Sequence, residues 1–272
     1  MTEREEKIIK KEEKKEEKKP SLWQRMKKPL AAGLLGASLL FSPAKKADAV
    51  GFAEARDPPL YAAEVIEKDK DLKVGWKFLI KAYENAIGKN NIGSELAIKY
   101  LDAATNIFKK AYEKTGSIDA LYLQAYTIYA MGGPESTFEK TEERCKEALE
   151  IIEKRLKEEP NDLDFNSLKL QIYYNLAQMY YEGYTKDPAY LRAGRIDLSK
   201  LDSYKEKSIG YADLFNKYFS DVEKRVDELE IYAFKKDSKE NSNEISEIRK
   251  AFIKYHKKQQ LWLQNILYRL KR

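Results

Sequence analysis

The chain has one cysteine, Cys145, and one histidine, His256, in 272 residues. A single thiol cannot close an intrachain disulfide, so the fold must stand without one. The same two counts leave no material for a thiolate cage or a histidine cluster, so no metal and no cofactor are expected. Glycine and proline are scarce, at 12 and 8, which is too little turn chemistry for a many-stranded β fold. No glycine-rich phosphate loop appears, because Gly132-Gly133-Pro134 reads as a helix stop. The longest apolar run falls short of the roughly 20 residues that cross a bilayer.

What is plentiful is charge, at 35% of residues, and tyrosine, with 19 copies. Lys/Glu-rich stretches with Ala, Leu, Ile and Tyr suit helices. The formal net charge is +6, but 13 of the 51 basic and 8 of the 45 acidic residues lie in residues 1–49. The remainder is close to neutral. A folded domain that binds nucleic acid carries a basic footprint, so no nucleic-acid partner is expected.

Residues 1–28 are charged and end in Arg25-Met26-Lys27-Lys28, followed by an apolar run from Leu30 to Phe41. Ser42-Pro43 breaks that run, and Ala47-Asp48-Ala49 offers a small-x-small cleavage site. Basic region, short apolar core, breaker and cleavage motif in that order are the pattern of a secretory signal. The expectation is export to a periplasmic or extracellular location with cleavage after Ala49. An uncleaved N-terminus would instead give a membrane anchor. The organisation read from the sequence is a leader over 1–49, a linker and short helix over 50–72, repeats over 73–218 and C-terminal capping helices over 219–272.

Beyond Ala49 the chain carries helix signals and almost no strand signals. Asp57-Pro58-Pro59 opens a helix toward Glu67. Further helices are expected near 73–87, 94–114, 118–131, 137–158, 163–183, 198–218 and 220–235, with a last one from about 243 to the end. Their joints are short, which makes neighbours antiparallel and the fold all-α, a stack of helix hairpins.

Three motif pairs give those hairpins a repeat. Trp76-x2-Leu79-Ile80-x2-Tyr83 is followed by Ala104-x3-Phe108-x2-Ala111. Leu121-x3-Ala125-x2-Ile128 is followed by Ala148-x3-Ile152 and Pro160. Tyr173-x2-Leu176-Ala177-x2-Tyr180 is followed by a helix with Ala212 and Phe215. These pairs resemble the tetratricopeptide repeat, whose first helix reads W-x2-L-G-x2-Y and whose second carries A-x3-F and a closing proline. The first helices start 45 and then 52 residues apart, wider than the family's spacing of about 34.

The resemblance implies a short solenoid whose first helices line a concave groove that holds a protein or peptide of the cell envelope. The family's partner-contacting face falls on Lys77, Lys81, Glu84 and Asn85, then on Tyr122, Tyr126 and Tyr129. In the third repeat it falls on Gln171, Tyr174, Gln178, Tyr181 and Glu182. Tyrosines in such a groove offer flat apolar faces with hydroxyls, and the same tyrosines equally suit packing between helices. The last helix reads as a cap on the open end of the stack, with a membrane surface or a partner as the alternative.

Two other functions fit parts of the pattern. A closed tyrosine-lined cavity would fit a ligand-carrying component of an envelope transporter. Glu135-Ser136-Thr137-Phe138 resembles the Glu-Ser-x-Phe around the acid of lytic transglycosylases, but that family's downstream Gly-Leu-Met-Gln is absent. Glu135 also falls in a loop expected to be exposed, whereas a general acid needs an apolar wall. His256, among lysines, reads as a surface residue, and Cys145 as an inert core thiol. The sequence therefore points to a binding protein rather than an enzyme, and leaves its oligomeric state open.

Overall fold

The computed structural model describes residues 66, 68–87, 95–133, 135, 137–233 and 242–272, with the backbone alone at 83–87 and 242–244. The leader and the helix expected near 57–67 lie outside these residues, apart from its end at Ile66 and Lys68. The described part is all-α, with eight α-helices and no strand. They are α1 Lys70–Ile87, α2 Glu95–Thr115, α3 Ile118–Met131, α4 Phe138–Glu158, α5 Leu163–Tyr184, α6 Pro188–Arg192, α7 Leu201–Lys224 and α8 Ser242–Leu270. None of them is long and apolar enough to cross a membrane.

Local chemistry sets the boundaries. Gly116, at φ +67°, ends α2 in the left-handed region that residues with a Cβ avoid. The next residue, Ser117, caps α3 by accepting from the Ala120 amide at 3.4 Å. Thr137 does the same for α4, and Asp162 for α5. Pro188 occupies the first turn of α6, where its missing N–H costs nothing.

Packing follows chain order. Helix α1 packs on α2, α2 on α3, α3 on α4 and α4 on α5; α5 then packs on α7, and α7 on α8. A second set of contacts skips one hairpin partner, joining α3 to α5 and α5 to α8. Small residues mark the close approaches. Ala104, Ala125, Ala148, Ala177 and Ala212 are all fully buried, and Ser208 of α7 donates to the Ala177 carbonyl at 2.9 Å. At Gly75 of α1 a Cβ would stand 2.5 Å from the Phe108 ring of α2, so only glycine lets the two helices meet there.

One expected element is absent. No helix spans 220–235; α7 continues through the expected break to Lys224 because Phe215, Phe219 and Val222 keep one buried stripe going. A short 3-10 turn, Val226–Glu228, follows. The chain then runs extended, with Leu229, Ile231 and Ala233 buried and Glu230 exposed between them. Glu230 pairs in parallel with the α4–α5 joint: its N–H donates to Asn161 O at 2.9 Å, and its carbonyl accepts from Leu163 N at 2.8 Å.

Candidate partner-binding face

The residues expected to face a partner occupy three different environments. Lys77 is exposed on α1 and Lys81 is half-buried, while the side chains of Glu84 and Asn85 lie outside the described residues. On α3, Tyr122 is half-buried, with its ring edge-on to Phe165 of α5 at 5.6 Å. Tyr126 and Tyr129 are buried, and the Tyr129 hydroxyl meets the side-chain amide of Asn175. Helix α3 has no exposed residue at all.

On α5, the terminal helix α8 covers much of the same face. Gln171 is buried, and its Oε1 accepts from Tyr255 Oη at 2.6 Å and from Gln259 Nε2 at 3.0 Å. Trp262 packs edge-on against Tyr174, 5.4 Å away, and Tyr181, 6.1 Å away. Arg269 donates to the Tyr181 hydroxyl at 3.4 Å. Gln178 and Glu182 stay half-buried and bonded to each other at 2.7 Å. The accessible remainder of the face is thus Lys77, Lys81, Tyr122, Tyr174, Gln178, Tyr181 and Glu182.

His256 is not a surface residue. It is fully buried between α5, α7 and α8, with Phe252 4.7 Å away and Phe215 and Phe219 beyond it. Its Nδ1 lies 2.7 Å from Gln259 Oε1 and its Nε2 3.2 Å from Ser167 Oγ. With Gln259 Oε1 as the acceptor, Nδ1 is the nitrogen that carries a proton in this contact, while Nε2 shares a hydrogen bond with the Ser167 hydroxyl. The neighbouring lysines made the position look solvated, yet Phe252, His256, Gln259 and Leu263 follow a 3–4 spacing along one side of the helix.

The strongest polar cluster lies elsewhere, around Glu142 of α4. Its Oε2 accepts from Tyr180 of α5 and Lys207 of α7, each at 2.6 Å. Its Oε1 accepts from Tyr211 of α7 at 2.6 Å and Lys146 at 3.0 Å. Burial raises the carboxyl pKa, but bonds from Lys207, Tyr180, Tyr211 and Lys146 outweigh it and hold the group down at about 2. Burial, with the neighbouring carboxylate, pushes the Tyr180 and Tyr211 hydroxyls up. A carboxylate with every lone pair engaged ties three helices together and is not poised to move a proton. Its place in the stripe Phe138, Glu142, Cys145, Leu149, Ile152 was a usable sign of burial that its charge concealed.

Glu135 is also buried, contrary to the exposed-loop expectation, because the turn after α3 folds back onto α4. Its Oε1 pairs with Arg144 Nε at 3.3 Å, a cation where a general acid would need an apolar wall. Close by, Arg195 is 5% exposed and stacks on Phe138 and Tyr190, centred 5.4 and 5.2 Å from their rings. It donates to Thr141 Oγ1 at 2.8 Å and the Gly133 carbonyl at 3.4 Å, pinning the loop before α7 onto the start of α4. Burial pushes the Cys145 thiol up to about 12, so it stays protonated. Among the described residues no three His, Cys, Asp or Glu side chains group to hold a metal ion.

No protein-family model, no curated protein and no solved structure matches the chain.

Proposed function

We propose that this chain is an exported helix-hairpin repeat protein of tetratricopeptide-like kind, which works by holding a protein or peptide of the cell envelope. The observation that carries the reading is the order of packing. From α1 to α5 each helix lies on the next in sequence, the first helices α3 and α5 touch across their hairpin, and the terminal helix α8 lies on α5. That nearest-neighbour order is how helical repeat arrays bury faces that no single hairpin can bury. The polar clusters favour binding over catalysis, since Glu142 is saturated with donors and Glu135 is held by Arg144.

The partner would meet the accessible part of the first-helix face, entering beside Lys77 on α1 and Gln178 on α5. Half-buried Tyr122 supplies an aromatic anchor, the residue type that carries a large share of binding energy in protein interfaces. Placing a photo-crosslinking residue at Lys77 or Gln178 in native cells is expected to trap one adduct of the same mass from both positions. The same group at Glu150 of α4 or Asp213 of α7 is expected to trap none. Equal labelling from all four positions, or none from any, would overturn the proposal.

A further inference from the structure

The charge of the chain is distributed unevenly, and α8 is where the imbalance lies. Residues 248–272 hold eight Lys and Arg and no acidic residue. With 13 basic and 8 acidic residues in the first 49, the stretch from 50 to 247 is left with 30 basic against 37 acidic ones. An acidic body therefore ends in a basic helix.

Helix periodicity sorts that helix into two faces. At about 100° per residue, Phe252, His256, Gln259, Leu263, Ile266 and Leu270 fall on one side, and all are buried against the fold. Lys250, Lys254, Lys257, Leu261 and Tyr268 fall within about 60° of one another on the opposite side. All of these are exposed, and Arg272 continues the row just past the helix end. Leu261 and Tyr268 are 61% and 58% exposed, and the Arg272 guanidinium lies over the Tyr268 ring at 4.0 Å. Lys258 flanks the row. Lys257 pairs with Glu223 of α7 at 2.7 Å, and Lys250 with Glu247 at 3.0 Å. Lys254 and Lys258 have no ion-pair partner among the described residues.

A second copy of the chain fits this face poorly. Two α8 helices placed against each other would oppose lysine to lysine, and the exposed face of α1 is itself basic, with Lys70, Lys73 and Lys77. A helical partner fits poorly as well, because only Leu261 and Tyr268 could serve as knobs in a row that is otherwise charged or polar. A planar anionic surface asks for what the row provides: a straight line of cations about 33 Å long with two interfacial anchors and flexible lysine stems.

We infer that the outer face of α8 docks the protein on an anionic lipid surface, through Lys254, Lys258, Leu261, Tyr268 and Arg272. The inference does not rest on the identity of the partner.

The test is sedimentation of the full chain with phosphatidylcholine vesicles, with and without phosphatidylglycerol. The leader is present in every sample, so paired variants isolate α8. Each lysine near an anionic surface contributes about a fivefold gain in partition, so K254Q/K258Q is expected to lose about 25-fold on phosphatidylglycerol vesicles. L261S/Y268S is expected to weaken binding on the same vesicles. The α1 control K70Q/K73Q, with the same change in charge, is expected to stay within about twofold of wild type. Equal losses in the α8 and α1 variants would overturn the inference, because net charge or the leader would then account for binding. Wild-type protein that ignores phosphatidylglycerol vesicles but binds poly-glutamate through Lys254 and Lys258 would overturn it in favour of an acidic protein. All substituted side chains are exposed, so unchanged thermal unfolding by circular dichroism confirms that each variant is folded.

Discussion

Replacing Glu142 with Gln removes one charge from the junction of α4, α5 and α7 and keeps the shape of the side chain. The neutral amide stands in for the protonated acid, so its cost can be read from proton linkage. The carboxyl pKa falls from 4.5 to about 2 in the folded protein, which corresponds to about 3 kcal/mol of stability near neutral pH. The sign is that of a depressed acid. Its contribution is complete above the unfolded value of 4.5 and is lost as pH falls through the folded value of about 2. At pH 3 only about 1 kcal/mol remains by the same relation. E142Q is therefore expected to lie about 3 kcal/mol below wild type at pH 7, or roughly 10 °C in midpoint for a body of this size. The gap should shrink by more than half at pH 3. Urea unfolding followed by circular dichroism at both pH values measures it. A gap below about 1 kcal/mol at pH 7, or one unchanged at pH 3, would refute the reasoning from linkage.

Two glycines should respond with opposite signs. Gly75→Ala drives a methyl into the Phe108 ring and is expected to destabilise by about 1–2 kcal/mol. Gly210→Ala, with nothing within 4 Å, should stabilise α7 by up to about 1 kcal/mol, and thermal unfolding compares the two. His256→Ala leaves a hole among Phe215, Phe219 and Phe252 and strands Ser167 and Gln259, for a loss of about 3 kcal/mol. Hydrogen exchange should then speed up in α8 before it does in α3. Arg155→Met strands the buried Asp162 carboxylate, now paired at 3.1 Å, and is expected to cost about 3–5 kcal/mol in urea unfolding. Intact mass of protein from the soluble envelope fraction is expected to begin at Val50, and a full-length cytoplasmic species would contradict export.

The helices from α1 to α5 were legible because their ends carry local chemistry. Gly116, Ser117, Pro160 and Asp162 act within one turn, and the observed boundaries lie within a few residues of those expected. The break expected near 219 failed because the apolar period of Phe215, Phe219 and Val222 runs straight through it. The extended stretch after it had a readable sign, the alternation of Leu229, Ile231 and Ala233. The partner face was harder to read. Whether Tyr126 lines a groove or fills a core depends on what lies over it, and the spacing of α3 is the same in both cases. Only the tertiary arrangement shows that α8 spends its apolar side on Gln171, Tyr174 and Tyr181. Buried Glu142, Arg195 and His256 were hidden for a related reason, because their partners come from helices distant in the chain.

The single pairing of Glu230 with Asn161 and Leu163 has a mechanical meaning. Once α8 has come off α5 and α7, tension along the chain meets the stretch from Leu229 to Ala233, which is pinned beside the start of α5. Arg249 grips the Leu229 carbonyl at 2.8 Å, and Arg225 grips Asn161 at 2.6 Å, so the same corner is tied from both sides. The pull is delivered to the base of the central helix and does not first unpeel α7 from its end. The corner works as a strain relief does on a cable: a protein tethered by its last helix can be tugged without the stack coming undone from that side.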